Sequence, residues 1–281
     1  ELVHAGDINA VLIGTWPYMH HAVATESLSA GRHVLCEARM AATAAEAREM
    51  LRAAEAQPDL VAQVVPSPFT LAVDAAIRRL LLDGEIGKLL TIEVLDREGF
   101  INRESPFHWR HAREFSGDNI MSLGIWYEAL LRWVGEAESV FASGELFVRE
   151  RRDPVTGNFR SVDVPDHLEV SAGMCNGAHL HMLITRIAGY RREQSVTLYG
   201  SEGILRFSDG ALSLMRRGEG DFKPVTIAPG EAGGWQVEAD FIDSIRTGRP
   251  VTHTSFSDGL KYMEFTDAVS RSLQERCEIR V

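Results

Sequence analysis

The chain has 281 residues, of which 45% are hydrophobic and 25% charged, the balance of an ordinary globular protein. Its 29 lysines and arginines face 40 aspartates and glutamates, and the net charge of −11 argues against a nucleic-acid backbone or an acidic membrane as partner. Three cysteines without CxxC spacing exclude a disulfide framework and fit a cytoplasmic location, and no apolar run reaches the roughly 18 residues of a membrane helix.

The first 87 residues alternate short apolar runs with helical stretches. Strands are predicted at 10–13, 33–36 and 61–65. Helices are predicted from about 20 to 30, from a Thr43–Glu46 capping box to about 56, and from a Ser67–Pro68 cap to Asp83–Gly84. Strands and helices that alternate at this spacing indicate an α/β unit, a parallel sheet with helices on its faces.

After Gly87 the pattern changes to alternating strands. Strands are predicted at 89–96, 139–148, 168–174, 178–187, 196–199, 204–207 and 212–215, with a hairpin at Asn176–Gly177. Helices are predicted at 119–134, 236–246 and 257–273. This pattern is typical of an α+β domain whose open, mostly antiparallel sheet carries helices against one face.

Several short segments match a known family in collinear order. Residues 15–20 fit the pattern T-P-N-x-x-H, and residues 30–37 fit the start of A-G-K-H-V-x-x-E-K-P. Matches continue at 83–88, at Trp109–Arg110 and at 200–203. The chain therefore resembles the glucose–fructose oxidoreductase/inositol dehydrogenase/MocA (Gfo/Idh/MocA) family of NAD(P)-dependent oxidoreductases. The resemblance implies that residues 1–87 are the C-terminal part of a Rossmann-type dinucleotide-binding domain and residues 88–281 a substrate and oligomerisation domain.

The glycine-rich phosphate loop of such a domain does not occur in these residues. A dinucleotide site needs G-x-G-x-x-G between its first strand and a helix. We expect that loop, which binds NAD or NADP, to lie in a preceding segment of a longer protein, because a sheet without its central first strand exposes an unpaired edge. The alternative is a natural protein that has discarded cofactor binding.

The family's Glu-Lys-Pro motif reads Glu37–Ala38–Arg39 in this chain. The resemblance places the lysine of that motif beside the nicotinamide and the reacting hydroxyl. Ala38 cannot relay a proton there. Arg39 is displaced by one position and stays protonated, so it can orient a substrate or stabilise charge but is a poor proton shuttle.

The family's helix motif D-x-G-x-H-x-x-D maps onto residues 122–129. Ser122 replaces the first aspartate, Trp126 the catalytic histidine and Ala129 the last aspartate. Ser122 and Trp126 still share a helical face, whereas Glu128 is expected to point elsewhere. If Trp126 faces the cleft, it forms an aromatic wall that favours an apolar or planar ligand; if it is packed away, it has no substrate role.

A loop with the sequence His108–Trp109–Arg110–His111 precedes this helix. Arg110 can grip a carboxylate, phosphate or hydroxyl while a histidine replaces the lost acid–base group; alternatively, Arg110 pairs with a buried carboxylate. The resemblance and these motifs together give three sets of candidates. The catalytic candidates are Glu37, Arg39, Ser122 and His108, the cofactor candidates Thr15, Trp16, Pro17, His20, Glu37, Trp109 and Arg110, and the substrate candidates Arg110, Ser122 and Trp126.

The resemblance predicts an NAD(P)-dependent oxidoreductase that acts on a small hydroxylated or carbonyl compound, sugar-like or cyclic, and that forms a homo-oligomer through its C-terminal sheet. The replaced lysine and histidine leave two alternatives open. One is a non-catalytic ligand-binding or partner subunit, and the other is a non-redox lyase or isomerase. No metal site is predicted: His179 and His181 share a strand face, but no third ligand accompanies them.

Overall fold

The computed structural model describes residues 2–188 and 192–281, and its N-terminal part is built around a small parallel sheet. Strands β1 (Ala10–Ile13), β2 (His33–Cys36) and β3 (Ala62–Val64) lie side by side in that order. Helices α1 (Pro17–Ser29) and α2 (Ala44–Glu55) connect them. The predicted alternation of parallel strands and helices is confirmed.

The start of α2 shows a variant of the expected capping box. Thr43 Oγ1 accepts the amide hydrogen of Glu46 at 3.2 Å, as predicted. The Glu46 carboxylate, however, accepts from the amide of Ala42 at 3.0 Å instead of the amide of Thr43. Both bonds still satisfy amide groups at a helix end, where no intrahelical partner exists.

The third helix begins later than the Ser67–Pro68 signal predicts. Helix α3 runs from Asp74 to Leu82, and residues 68–73 form bends and turns. The Ser67 amide donates to Glu128 Oε2 at 2.9 Å, on a helix far along the chain. Ser67 Oγ, the acceptor that an N-cap would use, has no partner among the described residues, so the predicted start at Ser67 is wrong.

A nine-stranded sheet forms the second part of the fold. Its long strands are β4 (Leu89–Arg97), β5 (Ala137–Glu145), β8 (His167–Met174), β9 (His179–Thr185), β10 (Glu193–Gly200), β11 (Gly203–Ser208) and β12 (Ala211–Arg216). Two-residue strands β13 (Lys223–Pro224) and β14 (Ile279–Arg280) complete the edges, and β6 (Glu150–Arg152) pairs with β7 (Phe159–Ser161) in a separate hairpin. The order is β13–β12–β11–β10–β4–β9–β8–β5–β14.

Every neighbouring pair in this sheet is antiparallel except β4 and β9, which run parallel. A mostly antiparallel sheet was predicted and is confirmed. The predicted hairpin at Asn176–Gly177 joins β8 to β9, and only Gly177 takes a positive φ, of 84°. The strand predicted at 139–148 instead begins at Ala137 and ends at Glu145.

Four further helices follow in the second part of the chain: α4 (Arg113–Ser116), α5 (Leu123–Val134), α6 (Val237–Thr247) and α7 (Phe256–Glu275). Helices α5 and α7 pack on each other, with the Tyr127 and Phe265 rings stacked at 3.7 Å between centroids. Along β5, inward residues are buried while Phe141 on the other face is 47% exposed. One face of the sheet is thus covered and the other open, as alternation along antiparallel strands allows.

The last part of the chain returns to the parallel sheet. The Val64 amide donates to the Thr254 carbonyl at 2.9 Å, and Phe241 of α6 packs beside Leu35 and Val65. Helix α7 also contacts α2, where Arg48 pairs with Glu264 at 2.8 Å. No helix among the described residues is long and apolar enough to cross a membrane.

Candidate active site

A cavity of about 490 Å³ lies where the loop after β2 meets the start of α5 and the end of β9. It brings together four of the residues singled out from the sequence, Arg39, His108, Arg110 and Ser122. Its volume is that of an ordinary small-molecule pocket. Glu37 is exposed outside this cavity, at the carboxyl end of β2.

Ser122 sits at the N-terminus of α5 and connects the cavity to a buried carboxylate. Its Oγ donates a hydrogen bond to Asp96 Oδ2 on β4 and accepts one from Arg186 Nη2 at 3.2 Å. One turn further along α5, Trp126 Nε1 donates to the same Asp96 oxygen at 2.9 Å. The helix face shared by Ser122 and Trp126 therefore presents two donors to one acceptor.

Asp96 is 1% exposed and has an opposite charge beside it. Arg186 Nη1 lies 3.3 Å from Asp96 Oδ1, and Gln194 on the neighbouring strand donates to the same oxygen at 3.3 Å. Burial by itself raises the pKa of Asp96, but Arg186 and the hydrogen bonds from Ser122 and Trp126 outweigh it and hold the pKa below its usual value. Asp96 is accordingly ionised and acts as an acceptor at neutral pH.

Sequence reasoning missed Asp96 and Arg186, although their positions carried a signal. Asp96 follows Ile92 and Val94 at a spacing of two, so the alternation places its carboxylate on the buried face of β4. Arg186 continues the buried series of Leu180, Met182 and Ile184 just past the end of β9. A charged side chain on a buried apolar face needs an opposite charge beside it, and Asp96 and Arg186 provide this for each other.

Trp126 does not face the cavity. Its side chain is 0% exposed, its indole N–H is bonded to Asp96, and its ring lies against Phe69 at 4.8 Å between centroids. The substrate role predicted for Trp126 is therefore wrong. Its indole N–H instead stabilises the Asp96 carboxylate by a hydrogen bond. Glu128 points away from the cavity as expected and accepts hydrogen bonds from Thr254 and Arg132.

Two histidines of the loop before α4, His108 and His111, line the cavity and accept backbone hydrogen bonds. His108 Nδ1 accepts the Arg110 amide hydrogen at 3.3 Å, and His111 Nδ1 accepts that of His108 at 3.0 Å. In a neutral ring the proton then sits on Nε2. Burial and the charge of Arg110 lower the pKa of His108, and burial followed by the charge of Arg151 lowers the pKa of His111 to about 4.

Arg39 is 6% exposed and crosses the cavity wall beside α5. Its Nη1 donates to the Met121 carbonyl at 3.2 Å. Burial and repulsion by Arg110 lower the pKa of Arg39 to about 10, so the guanidinium stays charged. Gly124, the glycine of the helix motif, leaves room for it: a Cβ at that position would lie 3.2 Å from Arg39 Cδ.

A group of aromatic rings lies beside the cavity at the carboxyl end of β1. Trp16 stacks on Trp109 at 6.2 Å and meets Phe115 edge-on at 5.0 Å. The Arg110 guanidinium lies 4.2 Å above the Trp109 ring. Together with exposed Thr15, these groups form an open edge at the ends of the parallel strands, where ligands of α/β sheets bind.

Two of the proposed cofactor residues are buried beneath this edge. His20 Nδ1 lies 3.0 Å from the Arg39 carbonyl and its Nε2 lies 3.0 Å from the Thr15 carbonyl. Both ring nitrogens are occupied, so His20 holds the loops after β1 and β2 together and does not offer a nitrogen to a ligand. Pro17 is the buried first residue of α1. The predicted cofactor contact is therefore wrong for His20, whereas that of Pro17 stays a prediction.

Two histidines considered as metal ligands lie elsewhere. His179 and His181 are exposed on the open face of β9. Within residues 2–188 and 192–281 no group of three or more histidine, cysteine or acidic residues is arranged to hold a metal ion.

Comparison with known proteins decides the family. The family model for oxidoreductases with an NAD-binding Rossmann fold matches residues 1–64, and the model for the GFO/IDH/MocA C-terminal domain matches residues 75–206. The chain belongs to the Gfo/Idh/MocA family. The resemblance predicted from short motifs is thereby confirmed, together with the fold class and the NAD-binding nature of the family.

Individual relatives are distant. An uncharacterized oxidoreductase of Synechocystis is 29% identical over 73% of this chain and 56% of its own length. Trans-1,2-dihydrobenzene-1,2-diol dehydrogenase of Bos taurus is 26% identical over 82% of this chain and 65% of its own. The chain thus spans little more than half of the first relative and just under two thirds of the second.

A solved structure shows how far the fold agrees. Levoglucosan dehydrogenase in complex with NADH and levoglucosan is 25% identical and superposes with a TM-score of 0.86. The superposition covers 99% of this chain and 82% of that protein. The agreement extends through both sheets of the fold.

Proposed function

We propose that this chain carries the active site of an NAD(P)-dependent oxidoreductase that acts on a small hydroxylated or carbonyl compound, sugar-like or cyclic. The observation that carries the proposal is the Ser122 hydroxyl, which lines the cavity and is bonded to the ionised carboxylate of Asp96. Membership of a family with an NAD-binding domain supports the redox assignment, and relatives named for a cyclic diol and for levoglucosan support the substrate class.

The residues beside the cavity fit the nicotinamide end of such a cofactor. Thr15 and Glu37 are exposed polar groups at the carboxyl ends of β1 and β2, and Glu37 can accept hydrogen bonds from ribose hydroxyls. Trp16 and Trp109 offer flat aromatic surface next to them. When bound, the cofactor supplies a hydride acceptor or donor.

Ser122 is suited to receive the proton of a substrate hydroxyl. A serine hydroxyl has one hydrogen to donate and two lone pairs. Asp96 takes the hydrogen and Arg186 one lone pair, which leaves one lone pair for the substrate. As the hydroxyl is oxidised, its proton passes to Ser122 Oγ and the serine proton passes to Asp96 Oδ2. Since the pKa of Asp96 is low, the carboxylate holds this proton only transiently.

The other cavity groups orient the substrate and stabilise charge on it. His108, neutral with Nδ1 occupied, can donate its Nε2 hydrogen to a substrate oxygen. Arg39 remains charged and can stabilise the negative charge that develops on that oxygen. These roles replace, with different groups, the lysine and histidine that the family motif has at positions 38 and 126.

The test is turnover by the protein expressed from its complete reading frame, with NAD⁺ and NADP⁺ and a panel of sugars and cyclic diols. We expect nicotinamide reduction with at least one compound, and Ser122→Ala is expected to lower kcat by roughly 10²-fold, within the range for a general acid–base group. Ser29→Ala, at the exposed C-terminal end of α1 and outside the cavity, is the matched control and should leave kcat unchanged.

A non-catalytic role is the second candidate, and it has its own observation. Ala38 stands where the family has lysine, and Trp126, in place of the histidine, is fully buried. Such a protein would bind a ligand in the cavity without transferring a hydride. Ligand binding in the absence of turnover with either nucleotide would decide for this alternative.

We also propose that the open face of the nine-stranded sheet forms an interface between copies of this chain. Phe141 is 47% exposed there and lines a groove together with Leu95 and Leu183. Exposed apolar surface of this kind marks contact sites. Light scattering on Phe141→Glu should show a smaller particle than the wild type; an unchanged mass would remove Phe141 from the interface.

A further inference from the structure

The cavity wall carries four arginines, and they differ in whether a carboxylate accompanies them. Arg39, Arg110, Arg151 and Arg186 all line the cavity. Arg186 pairs with Asp96 at 3.3 Å and with Glu98 at 3.4 Å. Among the described residues the other three form no ion pair within 4 Å. Arginine side chains without a carboxylate are unusual in a buried setting, because a buried charge is normally paired.

Two of these arginines are deeply buried and incompletely hydrogen-bonded. Arg39 and Arg151 are 6% and 8% exposed. In each, the Nε–H group is buried and has no partner among the described residues. Arg151 uses only Nη1, which donates to the Asn102 carbonyl at 2.9 Å and to Ser105. Buried N–H groups normally have hydrogen-bond acceptors, so each of these two side chains can donate to one further acceptor.

The balance of charge in the cavity supports an anion. Four arginines stand against Asp96, Glu98 and Asp166, which leaves one positive charge when His108 and His111 are neutral. The Asp166 carboxylate already accepts the amides of Phe147 at 3.0 Å and Val148 at 2.8 Å. Burial and, second to it, the positive charge of Arg110 lower the pKa of Arg39, so the two guanidinium groups repel each other across the cavity wall.

We propose that the cavity binds the carboxylate of its substrate between the guanidinium groups of Arg39 and Arg151, so that the substrate class is a small hydroxylated carboxylic acid. A carboxylate matches the single excess charge and the planar donor fork of arginine. Val148, Val162 and Val164 on the same wall leave an apolar surface for the carbon skeleton. The redox part of this assignment rests on the proposed function, whereas the anion site stands on the arginines alone.

The experiment is calorimetric titration of the full protein, without cofactor, with pairs of compounds that differ in one carboxylate. The pairs are D-gluconate with D-glucitol, D-glucuronate with D-glucose, and 3-hydroxycyclohexanecarboxylate with 3-(hydroxymethyl)cyclohexanol. We expect at least one carboxylate to bind roughly tenfold or more tightly than its neutral partner, as for a hydrogen-bonded charge pair. Added salt should reduce this preference.

Substitutions connect that preference to the two arginines. Arg39→Gln and Arg151→Gln should each abolish it, and Arg39→Lys should retain part of it by keeping the charge. Arg217→Gln is the matched control, because Arg217 is exposed and pairs with Glu202 away from the cavity. Circular dichroism checks the fold of each variant, and Arg151→Gln keeps the test valid if Arg39→Gln fails to fold.

Three results would overturn the proposal. One is that no carboxylate binds more tightly than its neutral partner. The second is a preference that persists in both glutamine variants. The third is tighter binding of D-glucose 6-phosphate than of every carboxylate, which would assign the site to phosphate. Carboxylate preference without hydride transfer would refute only the redox function, and turnover of neutral sugars without the preference would refute only the carboxylate site.

Discussion

Two groups of charged residues lie at the wall of the same cavity or directly behind it, and they differ in whether each charge has a partner. Around Asp96, every charged group has an opposite charge or a hydrogen-bond donor: Arg186, Ser122 and Trp126 surround the carboxylate. Around Arg39 and Arg151 the donors outnumber the acceptors, and a buried N–H remains without a partner in each. The comparison teaches that an arginine's role follows from its partners: Arg186 maintains structure, whereas Arg39 and Arg151 are left for a ligand.

The most damaging change should be to the satisfied group. Asp96→Asn leaves Arg186 without its buried counter-charge, and we expect the free energy of unfolding to fall by about 3 kcal/mol. Glu98→Gln is the matched control, because Glu98 pairs with the same arginine but is half exposed, and it should lose less than about 1 kcal/mol. Urea denaturation measures both, and equal losses would contradict the distinction.

Removing one donor from the same carboxylate should have an intermediate effect. Trp126→Phe keeps an aromatic ring but removes the indole hydrogen bond to Asp96, and we expect a loss of about 2 kcal/mol. Trp133→Phe is a close match, because Trp133 Nε1 donates to Asp74 at 2.7 Å outside the cavity. Both should lower stability, but only Trp126→Phe should change the pH profile of turnover. Identical pH profiles for the wild type and Trp126→Phe would show that Trp126 has no influence on the active site.

The lowered pKa of His111, a cavity residue, should make the stability of the protein depend on pH. The pKa of His111 is about 4 in the folded chain, against an ordinary value of 6.5. Between these values the unfolded chain binds the proton and the folded chain does not, so stability should decline as pH falls from about 6.5 towards about 4. His111→Asn, which keeps an acceptor for the His108 amide, should flatten that slope.

A surface histidine provides the reference for this measurement. His4 pairs with Glu26 at an exposed position, so His4→Asn should leave the slope between those pH values as it is in the wild type. Unfolding midpoints in urea at several pH values give the slopes. A slope that survives in His111→Asn would assign the pH dependence to other groups.

The smallest effect is expected at Gly124. An added Cβ would stand 3.2 Å from Arg39 Cδ, so the arginine must shift by a few tenths of an ångström. Alanine also favours the helix by about 1 kcal/mol, which should nearly offset the crowding. Gly124→Ala should therefore keep wild-type stability yet weaken carboxylate binding a few-fold. Gly177→Ala, in the β8–β9 turn, should lower stability and leave carboxylate binding unchanged, since the positive φ of Gly177 strains alanine.

The sequence predicted the fold better than the site, for physical reasons. Strands β1 and β2 appear at the predicted residues, because a short continuous apolar run bounded by turns is typical of a strand buried on both faces. The start of α3 could not be predicted, since Ser67 gives its amide to Glu128, a contact 61 residues away.

For the site, motif positions located Arg39, His108 and Ser122 at one cavity. They did not show that Trp126 contacts buried Asp96, because helical periodicity tells which residues share a face but not which element packs against that face. Asp96 and Arg186 meet only through the parallel register of β4 and β9, where Asp96 lies opposite Ile184. Alternation along each strand suggests that both point inward, but their pairing depends on that register.

The stacked rings of Trp16 and Trp109 give the protein a built-in optical reporter. Two indoles with centroids 6.2 Å apart and planes inclined by 25° couple their electronic transitions, which produces a paired signal in near-ultraviolet circular dichroism. Trp16 follows β1 of the parallel sheet, whereas Trp109 belongs to the loop before α4. The amplitude of that signal therefore follows the distance between these two loops, and it does so in solution without any label.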